Sequence, residues 1–238
     1  PYYTHLRDAG AQFGSANGWE RPLFYGREMT HGFGREPWFD DWQAEHQALR
    51  TDLGCIDLTF GRFIVDGQDA EAQMQRLCGA NMAVAPGALV YTHMFNPQGG
   101  IEADVTVTRL SETAYLVVTP AITRLADETW LRRHLGERRA VITDVTAGEG
   151  VLAIMGPDAR KLMQAVSPND FGNDANPFGT AQQIELGMGL ARAHRVSYVG
   201  ELGWEIYVGA DMAAHAFETL WEAGQDLGLK LCGMHMMD

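Results

Sequence analysis

Two carboxylates stand two residues apart in the stretch NPQGGIEAD, Asn96 to Asp104, just after a turn containing Pro97, Gly99 and Gly100. In a strand, residues i and i+2 share a face, so Glu102 and Asp104 present two acids to one side. Such acids can take a proton from a bound ligand or stabilise positive charge on it; they are equally the composition of a hairpin turn with solvated carboxylates. A second stretch, YVGELGWE from Tyr198 to Glu205, sets aromatic rings and a carboxylate among glycines. A flat ligand with a hydrogen-bonding edge uses such parts, rings for its face and a carboxylate for paired N–H donors. Trp204 and Glu205 must point to opposite faces of their strand, so one of them turns inward. Tyr91 and Tyr198 fit a ligand wall and an ordinary strand aromatic equally well. His93 and His235 lack a partner at metal-ligand spacing and read as structural or surface residues. GWERP, from Gly18 to Pro22, reads as a turn with Glu20 and Arg21 exposed and Pro22 ending a segment.

Strands and helices alternate around these residues. RFIVDG (62–67) is a short strand reaching a Gly turn, and DAEAQMQRLCGAN (69–81) follows with helical spacing of Ala70, Met74 and Leu77. ALVYTHMF and ADVTVTRL are strands on either side of the NPQGG loop. TAYLVVTP is another strand, and ITRLADETWLRRHL a helix whose apolar side is expected to carry Leu125, Trp130, Leu131 and Leu135. The pattern recurs 89 residues on: Gly67 aligns with Gly156, Asp69 with Asp158, Ala70 with Ala159 and Met74 with Met163. An aspartate after a turn is a common helix cap, but the matching order of elements points to a structural duplication. An α+β fold of two related lobes follows, each an antiparallel sheet with helices on one face.

Composition narrows the function. The 238 residues are 46% hydrophobic and 21% charged, as in ordinary globular proteins. A net charge of −13 repels duplex nucleic acid and anionic membrane surfaces, so a small-molecule ligand is expected. No run of 18 apolar residues exists to span a membrane. Cys55, Cys78 and Cys232 lie far apart without a C-x-x-C pair, which suits a reducing compartment. Dinucleotide, P-loop, nucleophile-elbow, zinc-protease and EF-hand motifs are missing. With Pro1 at its start and CGMHMMD at its end, the chain reads as a segment of a longer polypeptide.

GWERPLFY, LRTDLGCIDLTFGRFIVDG, VYTHMFNPQGGIEADVTVTRL, GPDARKLM and SYVGELGWEIYV, in this order, resemble the glycine cleavage T-protein (aminomethyltransferase) superfamily. The resemblance is nearest to the folate-binding half of dimethylglycine and sarcosine dehydrogenases and spans essentially the whole chain. It implies a first lobe of residues 1–55 and 148–238 and a second of 56–147 carrying the Gly-Gly-x-x-x-Asp motif. It also implies an FAD oxidase domain and a C-terminal β-barrel in the same polypeptide but outside this chain. The cofactor implied is tetrahydrofolate, with FAD only in the missing N-terminal half. The expected compartment is cytoplasmic, or the mitochondrial matrix in a eukaryote.

The catalytic aspartate of the family ends the Gly-Gly-x-x-x-Asp motif, which falls on Asp104; Glu102 is then the solvated member of the pair. The folate-binding residues fall on Tyr91, Tyr198 and Glu205, with Glu205 holding the pterin. In the glycine cleavage protein an arginine precedes the aspartate of Gly-x-x-x-Arg-Asp. Met237 stands there before Asp238, which argues against a reaction with a lipoyl partner. The implied function is capture of the one-carbon unit from N-methyl amine oxidation as 5,10-methylenetetrahydrofolate. A stand-alone folate-dependent demethylase or aminomethyltransferase, and a non-catalytic folate-binding or structural module, are the alternatives.

Overall fold

Short apolar runs broken by Gly, Asn and Pro build mixed strands and helices around two separate apolar cores. In chain order these are α1 (Tyr3–Asp8), β1 (Ala11–Ala16), β2 (Trp19–Tyr25), α2 (Phe39–Thr51), β3 (Gly54–Asp57), β4 (Gly61–Asp66), α3 (Ala70–Leu77), β5 (Leu89–Phe95), β6 (Ile101–Arg109) and β7 (Ala114–Thr119). Then follow α4 (Arg124–Leu135), β8 (Val141–Asp144), β9 (Glu149–Met155), α5 (Ala159–Val166), β10 (Thr180–Leu186), β11 (Gly189–Arg195), β12 (Gly203–Gly209), α6 (Ala213–Gln225) and β13 (Lys230–Cys232). The computed structural model describes residues 1–237, of Met237 the backbone alone, so the Met237–Asp238 departure lies outside the described side chains. Contacts divide the chain into one unit of residues 1–59, 149–178 and 182–238 and a second of residues 60–148 and 179–181.

The second unit holds a five-stranded antiparallel sheet in the order β5-β6-β7-β4-β8. Ala103, Val105 and Val107 of β6, Phe63 and Val65 of β4, and Tyr115 and Val117 of β7 pack with Met74 and Leu77 of α3 and Leu131 of α4. On α4, Leu125 is 67% exposed rather than inward. Residues 125 and 131 are six apart, about 120° out of phase on a 3.6-residue turn. The buried stripe instead runs through Asp127 and Leu131. Asp127 accepts hydrogen bonds from the Thr119 and Thr123 hydroxyls, and burial raises its pKa.

The first unit orders its sheet β10-β11-β12-β9-β3-β13. Strands β10-β11-β12-β9 repeat the arrangement β5-β6-β7-β4, with a helix after the last-named strand of each set, so the two units share one strand–helix order. Gly67 and Gly156 close the equivalent strands with φ of 142° and 125°. A Cβ there would lie 2.3 Å from the Arg139 carbonyl oxygen and 2.5 Å from that of Asp52, so both turns need glycine. Asp69 and Asp158 hold the helix-capping positions, but neither side chain makes the capping bond. Asp69 instead accepts from the Arg139 backbone N–H at 2.9 Å, and Asp158 pairs with Lys161 at 2.8 Å. One pairing is not antiparallel: β13 joins β3 in parallel, Lys230 opposite Gly54 and Cys232 opposite Ile56. β12 and β3 are both antiparallel to β9, and the α6 crossover carries the chain back from the end of β12 so that β13 runs in the same direction as both.

Of GWERP only Gly18 lies in a turn; Trp19 to Pro22 are strand. Residues 19–25 pair antiparallel with β1 across the two-residue turn Asn17-Gly18, and the register shifts between Gln12 and Phe13, near Pro22. Proline removes a ladder donor, and a two-stranded ribbon with an irregular register accommodates that loss.

Glu45 of α2 ties this ribbon to the sheet. Its buried carboxylate accepts the Tyr25 N–H at 2.6 Å and the Gly233 N–H at 2.8 Å. Burial raises its pKa to about 7, the two backbone donors and Lys230 opposing the rise. The folded protein then binds this proton more tightly than the unfolded chain. This contribution to stability is full below about pH 4.5 and is lost as pH rises through about 7. Glu45→Gln should flatten the pH 5 to pH 8 difference in urea unfolding free energy, a difference on the order of 3 kcal/mol in the unmodified chain.

Candidate functional site

Asp104 sits in β6 opposite His93 of β5, with Tyr91 of β5 opposite Thr106. Ala103 and Val105 belong to the core beneath α3 and α4, so period-two alternation turns Asp104, His93 and Tyr91 to the helix-free face. The Asp104 side chain is 53% exposed and Tyr91 is 65% exposed. The His93 ring lies between them, its Nε2 3.8 Å from Asp104 Oδ1 and 3.5 Å from the Tyr91 hydroxyl. Tyr91 and His93 meet edge-on at 5.4 Å, and Phe95 follows at 6.1 Å.

The preceding loop is tied rather than loose. Asn96 Oδ1 accepts the N–H groups of Gln98 at 3.0 Å and Gly100 at 2.8 Å. Asn96 Nδ2 donates to Glu102 at 2.8 Å, which turns the exposed Glu102 carboxylate to its own hairpin. Gly99, with φ of 82° and open space around a built Cβ, serves the turn's backbone conformation.

In the first unit, Trp204 turns inward and Glu205 outward. Trp204 is fully buried, meets Phe171 edge-on at 5.3 Å, and donates its indole N–H to Asn176. Arg160 and Arg195 lie 5.9 and 5.6 Å from its ring centre. Trp204, Ile206 and Val208 pack against α5 and α6, which leaves Glu205 and Tyr207 on the opposite face, where Tyr207 and His194 are buried. Glu205 accepts the Tyr207 hydroxyl at 2.7 Å. Tyr207 stacks on His194 at 4.1 Å and 27°, and Arg192, 5.6 Å from the same ring, pairs with Glu149 at 2.9 Å. Burial, then the Arg192 charge, lowers the His194 pKa to about 3, so its ring stays neutral at physiological pH. Tyr198 lies in the loop before β12 and is 60% exposed. Arg50 of α2 holds this loop, donating to the Val199 carbonyl at 3.0 Å and to Glu201 at 2.8 Å.

Tyr91 and Asp104 therefore share one sheet face in the second unit, and Glu205 lies on the corresponding face of the first. His93 and Tyr207 escaped sequence reasoning as members of these clusters. Each stands two residues from an assigned residue in a strand, so the same alternation that placed Asp104 could have found both. Among the described residues no group of three or more His, Cys, Asp or Glu is placed to hold a metal, and the three cysteines are free and buried. No described helix is long and apolar enough to cross a membrane.

Residues 2–238 match the GCVT N-terminal domain. The chain belongs to that family. Among curated relatives, this GCVT domain is 40% identical to a 4-methylaminobutanoate oxidase (formaldehyde-forming) of Paenarthrobacter nicotinovorans, covering all of this chain and 30% of the relative. It is 30% identical to the mitochondrial dimethylglycine dehydrogenase of Rattus norvegicus, covering 98% of this chain and 28% of the relative. The GCVT domain thus spans less than a third of either protein. The glycine cleavage system aminomethyltransferase T of Bartonella henselae shares its fold, with a TM-score of 0.81 at 24% identity over all of this chain and 60% of that one.

The two tyrosines of the first unit should separate by burial. Tyr207→Phe deletes a hydroxyl donor to a carboxylate and should lower unfolding free energy by about 1.5–3 kcal/mol. Tyr198→Phe, on an exposed ring, should stay within about 0.5 kcal/mol; denaturant titration of the two variants checks the contrast.

Proposed function

We propose that this GCVT domain binds tetrahydrofolate and captures on it the one-carbon unit released by N-methyl amine oxidation, as 5,10-methylenetetrahydrofolate. The observation that carries the reading is Asp104, a solvent-facing carboxylate at the end of Gly-Gly-x-x-x-Asp, with Tyr91 beside it on a helix-free sheet face. The formaldehyde-forming oxidase and the dimethylglycine dehydrogenase among its relatives are named for the chemistry that supplies such a carbon. An FAD oxidase domain of the same polypeptide is the proposed source.

Tetrahydrofolate's pterin shows an amino group and a ring N–H side by side, the pair of donors a carboxylate accepts with charge-assisted bonds. Glu205 takes that role, oriented by the Tyr207 hydroxyl. Tyr198 and Tyr91 offer exposed rings to the ligand's flat faces. With formaldehyde as donor, the carbon bridges N5 and N10 of the folate and its oxygen leaves as water. Asp104 stabilises the cationic iminium at the first nitrogen and accepts the proton that N10 sheds as it closes the bridge.

Calorimetric titration with 5-formyltetrahydrofolate tests the binding half. One-to-one binding should weaken about ten-fold or more in Glu205→Gln, the low end of the loss for a hydrogen bond to a charged group. Asp104→Asn should bind nearly as well as the unmodified chain yet lose methylene formation. Binding indifferent to Glu205 would place the pterin elsewhere, and binding without any effect of Asp104 on transfer would favour a non-catalytic folate module.

A further inference from the structure

We infer that His93 is the proton acceptor behind Asp104, a positioning residue that returns the carboxylate to its basic form after each capture; this rests on the folate reading above. His93 and Asp104 are directly opposed on adjacent strands, so their side chains rise from the same face at fixed spacing. The 3.8 Å between Nε2 and Oδ1 is too long for a standing hydrogen bond, and an exposed pair of this kind adds little to stability. What it does provide is a base within a small side-chain movement of the acid, and catalytic contacts often tighten only in the loaded site.

The groups facing the ring are few. Tyr91 on β5 has its hydroxyl 3.5 Å from the same Nε2, and Asp104 faces it from β6. On the outer side of β5 the segment after α3 is bridged to it, Cys78 opposite Met94 and the Gly79 N–H donating to the His93 carbonyl at 2.9 Å. Cys78, Gly79 and Ala80 bring no charged side chain, and Glu102, next along that side of β6, is engaged by Asn96. Tyr91 and Phe95 flank the ring along the strand, so it is confined sideways while its side chain stays one-third exposed.

The step balances as follows. The N10 lone pair forms a bond to the methylene carbon, and the C=N π pair returns to N5. The N10 proton passes to Asp104. The resulting carboxylic acid gives it to Nε2 of a neutral His93 ring protonated at Nδ1, imidazole being by type a stronger base than a carboxylate. The imidazolium releases its proton to solvent, where it meets the hydroxide lost when the iminium formed. Without His93, Asp104 must discharge directly to water.

The test follows methylene-bridge formation from tetrahydrofolate and formaldehyde by this chain, above the uncatalysed background, with 5-formyltetrahydrofolate affinity measured beside it. His93→Gln should keep the affinity within about two-fold while lowering capture roughly ten-fold or more, and should change the pH dependence of capture. Millimolar imidazole should restore capture to His93→Ala, which a purely structural role does not predict. In an Asp104→Asn background His93→Gln should cause no further loss, because both residues serve one step. Capture lost in Asp104→Asn but intact in His93→Gln, or a loss that imidazole does not rescue, overturns the relay alone. Absent folate binding, or capture indifferent to Asp104→Asn, overturns the folate reading and the relay with it.

Discussion

Everything at the candidate site depends on strand alternation, which sends neighbouring residues to opposite faces of a sheet. In each unit the helices that follow the repeated strands, α3 and α4 or α5 and α6, pack into a core on one face, and period-two alternation sends every second residue away from that core. Trp204 and Glu205 make the point in two adjacent residues: one is sealed among Phe171 and the α5–α6 side chains, the other reaches the opposite face. Ala103 and Asp104 repeat the division in the other unit. A one-residue slip of register would bury both carboxylates and expose the core.

The core that enforces this register is itself duplicated. Gly67 and Gly156 hold equivalent turns against backbone carbonyls, and each releases the chain into a helix packed on the same side of its sheet. The units then diverge at their edges. Sheet β5-β6-β7-β4 ends with β8, whereas β10-β11-β12-β9 continues through β3 to the parallel β13. There Glu45, a carboxylate with two backbone N–H partners, locks the β1–β2 ribbon and the turn after β13. A buried acid is worth its desolvation only when it satisfies such orphan donors.

The two sheet faces support their carboxylates differently. Glu205 is anchored through Tyr207, whose ring is pinned by His194 and by Arg192, itself held by Glu149. Asp104 has no such standing clamp among its described contacts, only the His93 ring at 3.8 Å. A ligand-orienting group gains from rigidity, because ordering costs are met in folding rather than in binding. A proton-transferring group needs room to alternate between donor and acceptor, and a partner within reach rather than one already bonded.

The amino-acid sequence alone determined the α+β class, the strands bearing Asp104 and Glu205, the opposite facing of Trp204 and Glu205, and the ordered motifs that mark the family. These are local or periodic properties, set by neighbours one, two or four residues away. It misled where distant partners intervene. Leu125 has the type for a core and the wrong phase on α4, and Asp127 is buried because Thr119 and Thr123 supply donors. GWERP contains turn residues, yet past Gly18 it extends as a strand because β1 lies alongside it. His93 reads as an isolated histidine until β5 and β6 are paired in register. Only that pairing, a contact between residues eleven apart in the chain, sets its ring between Tyr91 and Asp104. Period and propensity act along the chain; register, desolvation and the company a buried acid keeps are decided across it.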